Sequence, residues 1–189
     1  MPRIPRIPGR ITLPAEVAQE LELGRGARPL AWSSLVGGGV VAATRQDLRI
    51  ITPRGKKIFR TWVDVDRAVW EQNSRMLVIW WVDSRQTTPL EIQDDVGRLP
   101  EVFRERVQSS VVLTASVPLP GGRPGRAALR RTKDGSLIAQ SMVPPGVKKD
   151  DPEVAACLAA AEEALWSEAG GLGLNEQTLP GLGLRSSGA

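Results

Sequence analysis

Short runs of apolar and polar residues, many of them alternating, dominate the chain between residues 28 and 93. Alternation with a period of two residues is typical of strands that bury one face. The segments between these runs are short and rich in turn-forming residues, so they leave no room for crossover helices and predict antiparallel pairing. The pattern predicts seven strands, at residues 28–35, 40–44, 48–52, 57–63, 67–72, 76–82 and 88–93.

A helical period replaces this alternation at residues 99–109. Four apolar side chains share one face of such a helix, and charged and amide side chains fall elsewhere; the apolar ones are Leu99, Val102, Phe103 and Val107. The pattern therefore predicts an amphipathic helix that lies on the sheet.

The C-terminal part predicts a second group of elements. Strand patterns occupy residues 111–118, 126–132 and 136–142, and Asp134-Gly135 between the last two is a strong hairpin signal. A helix is expected at about residues 151–168, because Asp150 or Asp151 can cap it and Pro152 suits its first turn.

Four segments follow from these patterns. Within residues 1–27 the pattern predicts an extended, proline-spaced segment and then a short helix at residues 13–23. Residues 28–113 form the main domain, and residues 114–169 add accessory strands and a C-terminal helix packed on it. Residues 170–189 are expected to be a flexible tail. The expected fold class is therefore mainly β with α.

The amino-acid composition narrows the range of functions that the protein can have. The chain is 41% hydrophobic and 24% charged, as in globular proteins, and it lacks both an apolar run of membrane-spanning length and a secretory signal, so a cytoplasmic location is expected. It has no histidine and only Cys157, which excludes a disulfide, a cysteine zinc site and the usual Ser-His or Cys-His pairs. No nucleotide-binding glycine motif is complete. We therefore expect no enzyme, no cofactor and no metal.

The distribution of charge along the chain argues against a nucleic-acid-binding protein. The net charge is +4, but basic residues are mostly interleaved with acidic ones through the middle of the chain, so specific nucleic-acid binding is not expected. The acidic pairs also have ordinary explanations in turns and helix caps. These pairs are Asp64 with Asp66, Asp94 with Asp95, and Asp150 with Asp151.

Trp80 and Trp81 are the most informative side chains. They are adjacent in a predicted strand, so they point to opposite faces, and the strand is apolar on both. One face fills the core. The other must be covered by the C-terminal hairpin and helix, by a second subunit in a homodimer, or by a partner or ligand, because a contiguous exposed apolar patch is unfavourable.

Two basic clusters are candidate binding surfaces. Arg54, Lys56 and Lys57 form the densest basic turn, in which Gly55 would let a phosphate or an acidic partner approach the backbone; the plainer alternative is a solvated hairpin tip. The second cluster is divided by its strand, which would place Arg130 and Arg131 on opposite faces. Its members are Arg123, Arg126, Arg130, Arg131 and Lys133.

Seven short strands followed by one amphipathic helix resemble the pleckstrin-homology (PH) superfold. The chain also resembles an uncharacterised family of actinobacterial proteins with a PH-like domain in the stretches Leu30-Ala-Trp, Ala43-Thr-Arg, Leu99-Pro-Glu-Val, Arg106-Val, Ser110-Val-Val-Leu and Asp150-Asp-Pro-Glu-Val. The resemblance implies a bent, barrel-like antiparallel sheet capped by one helix, and it implies no activity. Lipid-binding PH domains carry basic residues in the first loop, whereas the loop at residues 36–39 here carries no charge.

The expected function is therefore a non-enzymatic PH-like binding or scaffold module that mediates protein-protein association with an unidentified partner. The alternative is peripheral attachment to anionic membrane lipids through the turn that contains Arg54, Lys56 and Lys57. In that alternative the basic N-terminal residues Arg3, Arg6 and Arg10 contribute as well.

Overall fold

The structure is a computed structural model that describes residues 13–24, 28–82, 84, 86–93 and 96–174. Within these residues it contains three helices, α1 (Ala15–Glu20), α2 (Leu99–Ser110) and α3 (Pro152–Gly171). The strands are β1 (Ala31–Ser34), β2 (Val40–Ala43), β3 (Asp47–Ile51), β4 (Lys57–Thr61), β5 (Val65–Glu71), β6 (Met76–Trp81), β7 (Thr87–Glu91), β8 (Val111–Val117), β9 (Gly125–Arg131) and β10 (Leu137–Met142).

Strands β1 to β4 form the first sheet in sequence order, with antiparallel pairing throughout. The turn into β2 depends on Gly39, which has a φ of 90° and whose added Cβ would collide with the carbonyl oxygen of Ile51. Every residue of β2 is buried, because the main core covers one face and α1 with its flanking residues covers the other. Arg49 holds α1 in place by donating to the carbonyl oxygens of Leu21 (2.8 Å) and Glu22 (2.9 Å).

A 3₁₀ turn at Trp62–Asp64 separates the first sheet from the second, which has the order β5-β6-β7. The Asp64 carboxylate accepts from the backbone N–H of Thr61 (2.9 Å) and from its hydroxyl (2.8 Å), which ends β4 and redirects the chain. The two sheets meet again at one corner, through a single antiparallel bridge between Leu35 and Ile92. The predicted antiparallel pairing is confirmed. The predicted barrel is wrong, because the sheets do not close: the turn interrupts the pairing between β4 and β5.

Helix α2 lies against both sheets and completes the main core. Its residues Leu99, Val102 and Phe103 are buried among the inward side chains of the strands, and Phe103 packs edge-on against Trp62 with 5.3 Å between ring centroids. The helical face predicted from the sequence is therefore the face that enters the core.

The C-terminal unit has a core of its own. Its sheet has the order β10-β9-β8, and α3 packs across it. The Asp151 carboxylate caps α3 by accepting from the N–H of Glu153 (3.0 Å), and Pro152 occupies the first turn. The main buried residues of this second core are Val117, Leu119, Ala127, Leu129, Val154, Leu158, Leu165 and Ala169.

Arg130, on β9, joins the C-terminal unit to the rest of the protein. Its side chain is buried, with the residue 2% exposed, and its guanidinium donates to the Ser110 hydroxyl at the end of α2 (2.7 Å). It also donates to four carbonyl oxygens, those of Trp62 (3.3 Å), Val63 (3.1 Å), Val65 (2.8 Å) and Val107 (3.4 Å). Burial lowers the pKa of Arg130, while the charge of Asp66 acts in the opposite direction. Arginine stays charged at neutral pH nonetheless, so these acceptors satisfy a buried cation.

Several sequence predictions fall partly outside the described residues. The proline-spaced segment, Arg3, Arg6 and Arg10, and the pair Asp94 and Asp95 lie there, as does most of the predicted tail. Of the residues predicted to be a tail, 170–174 are described, and α3 extends into them as far as Gly171.

Replacing Arg130 should destabilise the protein strongly. We expect Arg130→Met to lower the free energy of unfolding by about 3–5 kcal/mol, because the buried carbonyl oxygens lose their donors. Arg130→Lys should lower it by less, since a lysine keeps the charge but cannot reach as many acceptors. Urea denaturation measures both.

The matched control is Arg54→Met, in an exposed turn, which should change stability by no more than about 0.5 kcal/mol. Equal losses for Arg130→Met and Arg54→Met would contradict the role of Arg130 in joining the two parts of the protein.

Candidate functional site

The two adjacent tryptophans lie on opposite faces of β6. Trp81 faces the main core, is 9% exposed, and its indole N–H donates to the Thr88 hydroxyl (2.8 Å). Trp80 faces outward and is half-buried, with the guanidinium of Arg67 stacked over its ring at 4.4 Å from the centroid. Trp81 is thus a core residue, and Trp80 belongs to a surface.

The outer face of the second sheet is apolar around Trp80. Met76 and Val78 share this face on β6, and Val69 on the neighbouring β5 is 42% exposed. Among the described residues, the core beneath α3 contains none of these side chains. The C-terminal hairpin and helix therefore do not cover this face. The hairpin belongs to the C-terminal sheet, and α3 packs on that sheet.

The basic turn between β3 and β4 presents fewer cations than the sequence suggests. Arg54 and Lys56 are exposed on either side of Gly55, which has a φ of 76°. The ammonium group of Lys57 lies 2.7 Å from a carboxylate oxygen of Glu22, and this hydrogen bond lowers the pKa of Glu22. The turn therefore directs two cations, Arg54 and Lys56, into solvent.

The acidic pairs do not assemble a metal site in the described part of the chain. The Asp64 carboxylate is bonded to Thr61, Asp66 pairs with Arg126, and Asp151 caps α3. Within residues 13–24, 28–82, 84, 86–93 and 96–174, no three potential metal-binding side chains converge.

A groove runs between α2 and β5, with a volume of about 370 Å³, and we call it the helix–strand groove. Its floor is apolar and its rim is polar. The floor consists of Ala68, Trp70, Leu77, Pro100, Phe103 and Val107, and the rim consists of Arg67, Glu101, Arg104 and Gln108.

Strand β5 borders this groove as an edge strand. In the described residues it pairs with β6 alone, so its other edge presents backbone groups that no neighbouring strand satisfies. On the rim, Arg67 and Arg104 outnumber the single carboxylate of Glu101. An edge strand beside an apolar groove with a basic rim can receive an extended segment that carries apolar and acidic side chains.

The candidate binding residues singled out from the sequence do not line this groove, although Arg67 connects it to Trp80 by stacking on that ring; they are Arg54, Lys56, Lys57, Trp80, Trp81 and the second basic cluster. The sequence pattern assigned the apolar face of α2 to the core and its charged side chains to an exposed outer face. The alternation of Ala68 and Trp70 with Arg67 and Val69 indicated two distinct faces of β5. It could not indicate which element lies opposite either of them.

Among the described residues, no helix has the length and apolar character needed to cross a membrane. Comparison of the chain with protein-family models, with curated proteins and with solved structures gives no match. What the protein binds is accordingly inferred from its own side chains and their contacts.

Proposed function

We propose that the protein is a non-enzymatic binding module of PH-like architecture that mediates protein-protein association. The support for PH-like architecture is the order of elements: a four-stranded antiparallel sheet, a three-stranded antiparallel sheet, and a helix that packs against both. The support for a non-enzymatic role is chemical, because the chain has no histidine and its one cysteine, Cys157, sits partly buried in α3.

The observation that carries the proposal is the helix–strand groove beside the unpaired edge of β5. A partner segment in extended conformation would add to β5 as a further strand, and its main chain would satisfy the edge. Alternate side chains of that segment would point into the apolar floor around Ala68 and Trp70. An acidic side chain of the partner would pair with Arg67 or Arg104 on the rim.

Selection from a library of displayed linear peptides tests this proposal. We expect enriched peptides to alternate apolar with polar residues and to carry an acidic residue, because groove and rim require both. The double variant Arg67→Glu with Arg104→Glu should weaken binding of a selected peptide at least about tenfold, since the attraction between the basic rim and the acidic side chain becomes repulsion. Isothermal titration calorimetry measures the affinity, and amide hydrogen exchange should show new protection in β5.

The matched control is Arg54→Glu with Lys56→Glu, which changes the net charge by the same amount in the basic turn and should leave peptide affinity unchanged. Equal weakening by both double variants, or a library that yields no binder, would contradict the proposal. If light scattering finds a dimer that the groove variant converts to monomer, the groove belongs to a second copy of the chain and not to a separate partner.

Peripheral attachment to anionic membranes is a second candidate function. The observation that favours it is the exposure of Arg54 and Lys56 at the tip of the β3–β4 hairpin, where Gly55 leaves the backbone accessible. The engagement of Lys57 by Glu22 reduces the charge available for this attachment.

Vesicle co-sedimentation tests the membrane candidate. If the basic turn is responsible, the protein should sediment with phosphatidylserine vesicles at low salt, and Arg54→Glu with Lys56→Glu should abolish this sedimentation. The groove variant Arg67→Glu with Arg104→Glu serves as the control of equal charge. No sedimentation of the unaltered protein, or equal loss in both variants, would exclude attachment through the turn.

A further inference from the structure

A second concave site lies where the C-terminal unit meets the first sheet and α2, and we call it the junction pocket. It has a volume of about 250 Å³, enough for a phosphate group and part of the molecule that carries it. Four separate segments contribute its walls: the β2–β3 turn, the 3₁₀ turn, the end of α2 and the β9–β10 hairpin. The lining residues are Arg45, Gln46, Thr61, Trp62, Val63, Arg106, Ser109, Ser110, Arg131, Thr132 and Lys133.

Among the described residues, the charged side chains that line the junction pocket are all cationic. Four cationic side chains border the pocket, and no carboxylate is among the described residues that line it; the cations are Arg45, Arg106, Arg131 and Lys133. Several cations around one concavity reinforce each other's potential, because the low-dielectric walls focus the field.

Three acidic groups beside the pocket are engaged with their own neighbours, and one of them, Asp64, accepts from the N–H and hydroxyl of Thr61. Burial raises the pKa of Asp47, but hydrogen bonds from Arg49 and Thr44, together with the charge of Lys133, bring it below the ordinary value. The hydroxyl of Thr132 lowers the pKa of Asp134 at the hairpin tip. None of these carboxylates lines the pocket, although the charge of Asp47 offsets part of that of Lys133.

A fifth positive charge lies beneath the floor. The buried guanidinium of Arg130 contacts three residues that also line the pocket, namely Trp62, Val63 and Ser110. The end of α2 would otherwise present its negative pole here, but Arg130 donates to the Val107 carbonyl oxygen at that end and offsets the dipole.

Arg106 carries a donor without an acceptor. Its Nε is buried and has no hydrogen-bond partner among the described residues, although a buried N–H is nearly always bonded in a native protein. Arg106 lines the pocket, so a rotation of its guanidinium toward an anionic oxygen bound there would supply the missing acceptor. This unsatisfied donor is independent of the charge argument and indicates the same kind of ligand.

We propose that the junction pocket binds a phosphate group, held by Arg45, Arg106, Arg131 and Lys133. A phosphate oxygen accepts from Arg106, and the surrounding cations balance the negative charge of the ligand. Either a small phosphorylated molecule or a phosphorylated lipid headgroup supplies this chemistry. The site is separate from the helix–strand groove, which lies on another side of α2, and it does not depend on the proposed function.

Calorimetric titration with inorganic pyrophosphate at constant ionic strength tests the site in the full-length protein. We expect binding, and we expect Arg106→Gln and Lys133→Ala each to weaken it by about tenfold or more, as the loss of a charged hydrogen bond does. The matched controls are Arg54→Gln and Lys56→Ala, which make the same chemical changes in the basic turn and should leave the affinity unchanged. Thermal unfolding of each variant checks that it is folded. Because Lys133 is exposed, we expect Lys133→Ala to fold even if Arg106→Gln does not.

A spectroscopic readout locates the ligand. The indole N–H of Trp62 lies at the pocket and donates to the Thr44 carbonyl oxygen (3.1 Å), so its NMR signal should shift when pyrophosphate binds. The indole signal of Trp80, on the outer face of β6, should not.

Vesicles distinguish the two sources of phosphate. The protein is mixed with phosphatidylcholine vesicles that contain or lack a phosphoinositide. Binding to soluble pyrophosphate would identify the ligand as a small phosphorylated molecule. Binding only to the phosphoinositide vesicles would identify it as a lipid headgroup. Both assignments require that Arg106→Gln or Lys133→Ala weakens binding of the probe. No binding to either probe, or equal weakening by Arg54→Gln and Lys56→Ala, would overturn the proposal.

Discussion

The buried guanidinium of Arg130 is the interaction on which the arrangement of this protein depends. A buried cation is tolerated only where acceptors surround it, and here the acceptors come from α2, from the 3₁₀ turn and from the start of β5. These segments belong to the main core, whereas Arg130 belongs to the C-terminal sheet. Any displacement of one part from the other would leave both the cation and the carbonyl oxygens unsatisfied, so the two cores are fixed in one relative position.

This fixed position gives α2 three functions along its length. Leu99, Val102 and Phe103 enter the main core, Glu101, Arg104 and Gln108 border the helix–strand groove, and Arg106, Ser109 and Ser110 border the junction pocket. The groove requires α2 and the second sheet alone. The junction pocket requires the C-terminal unit as well, because Arg131, Thr132 and Lys133 form one of its walls. A module that binds an extended protein segment on one side and a phosphate group on another would follow from these two surfaces.

Local patterns in the sequence were sufficient for the parts of the fold that depend on neighbouring residues. The helix predicted at residues 99–109 corresponds to α2, Asp134-Gly135 turns the chain between β9 and β10, and Asp151 with Pro152 begins α3. The alternation of a strand also predicted that Arg130 and Arg131 would separate. It could not predict which of them is buried, because the acceptors that make burial favourable lie twenty or more residues away in the chain. The division into two sheets depends on the local contact of Asp64 with Thr61, three residues earlier, which the prediction of one strand at residues 57–63 missed. The junction pocket depends on four distant segments, so no contiguous motif indicates it.

Arg130 is a buried cation between the two cores with a partner for each of its nitrogens, and NMR of its side chain reports on this state. In protein labelled with ¹⁵N, we expect a slowly exchanging Nε–H resonance for Arg130, with nuclear Overhauser effects to Ser110, to which that Nε–H donates over 3.1 Å. A rapidly exchanging Nε–H, with no Overhauser effect to the end of α2, would show that Arg130 is solvated and does not join the two cores.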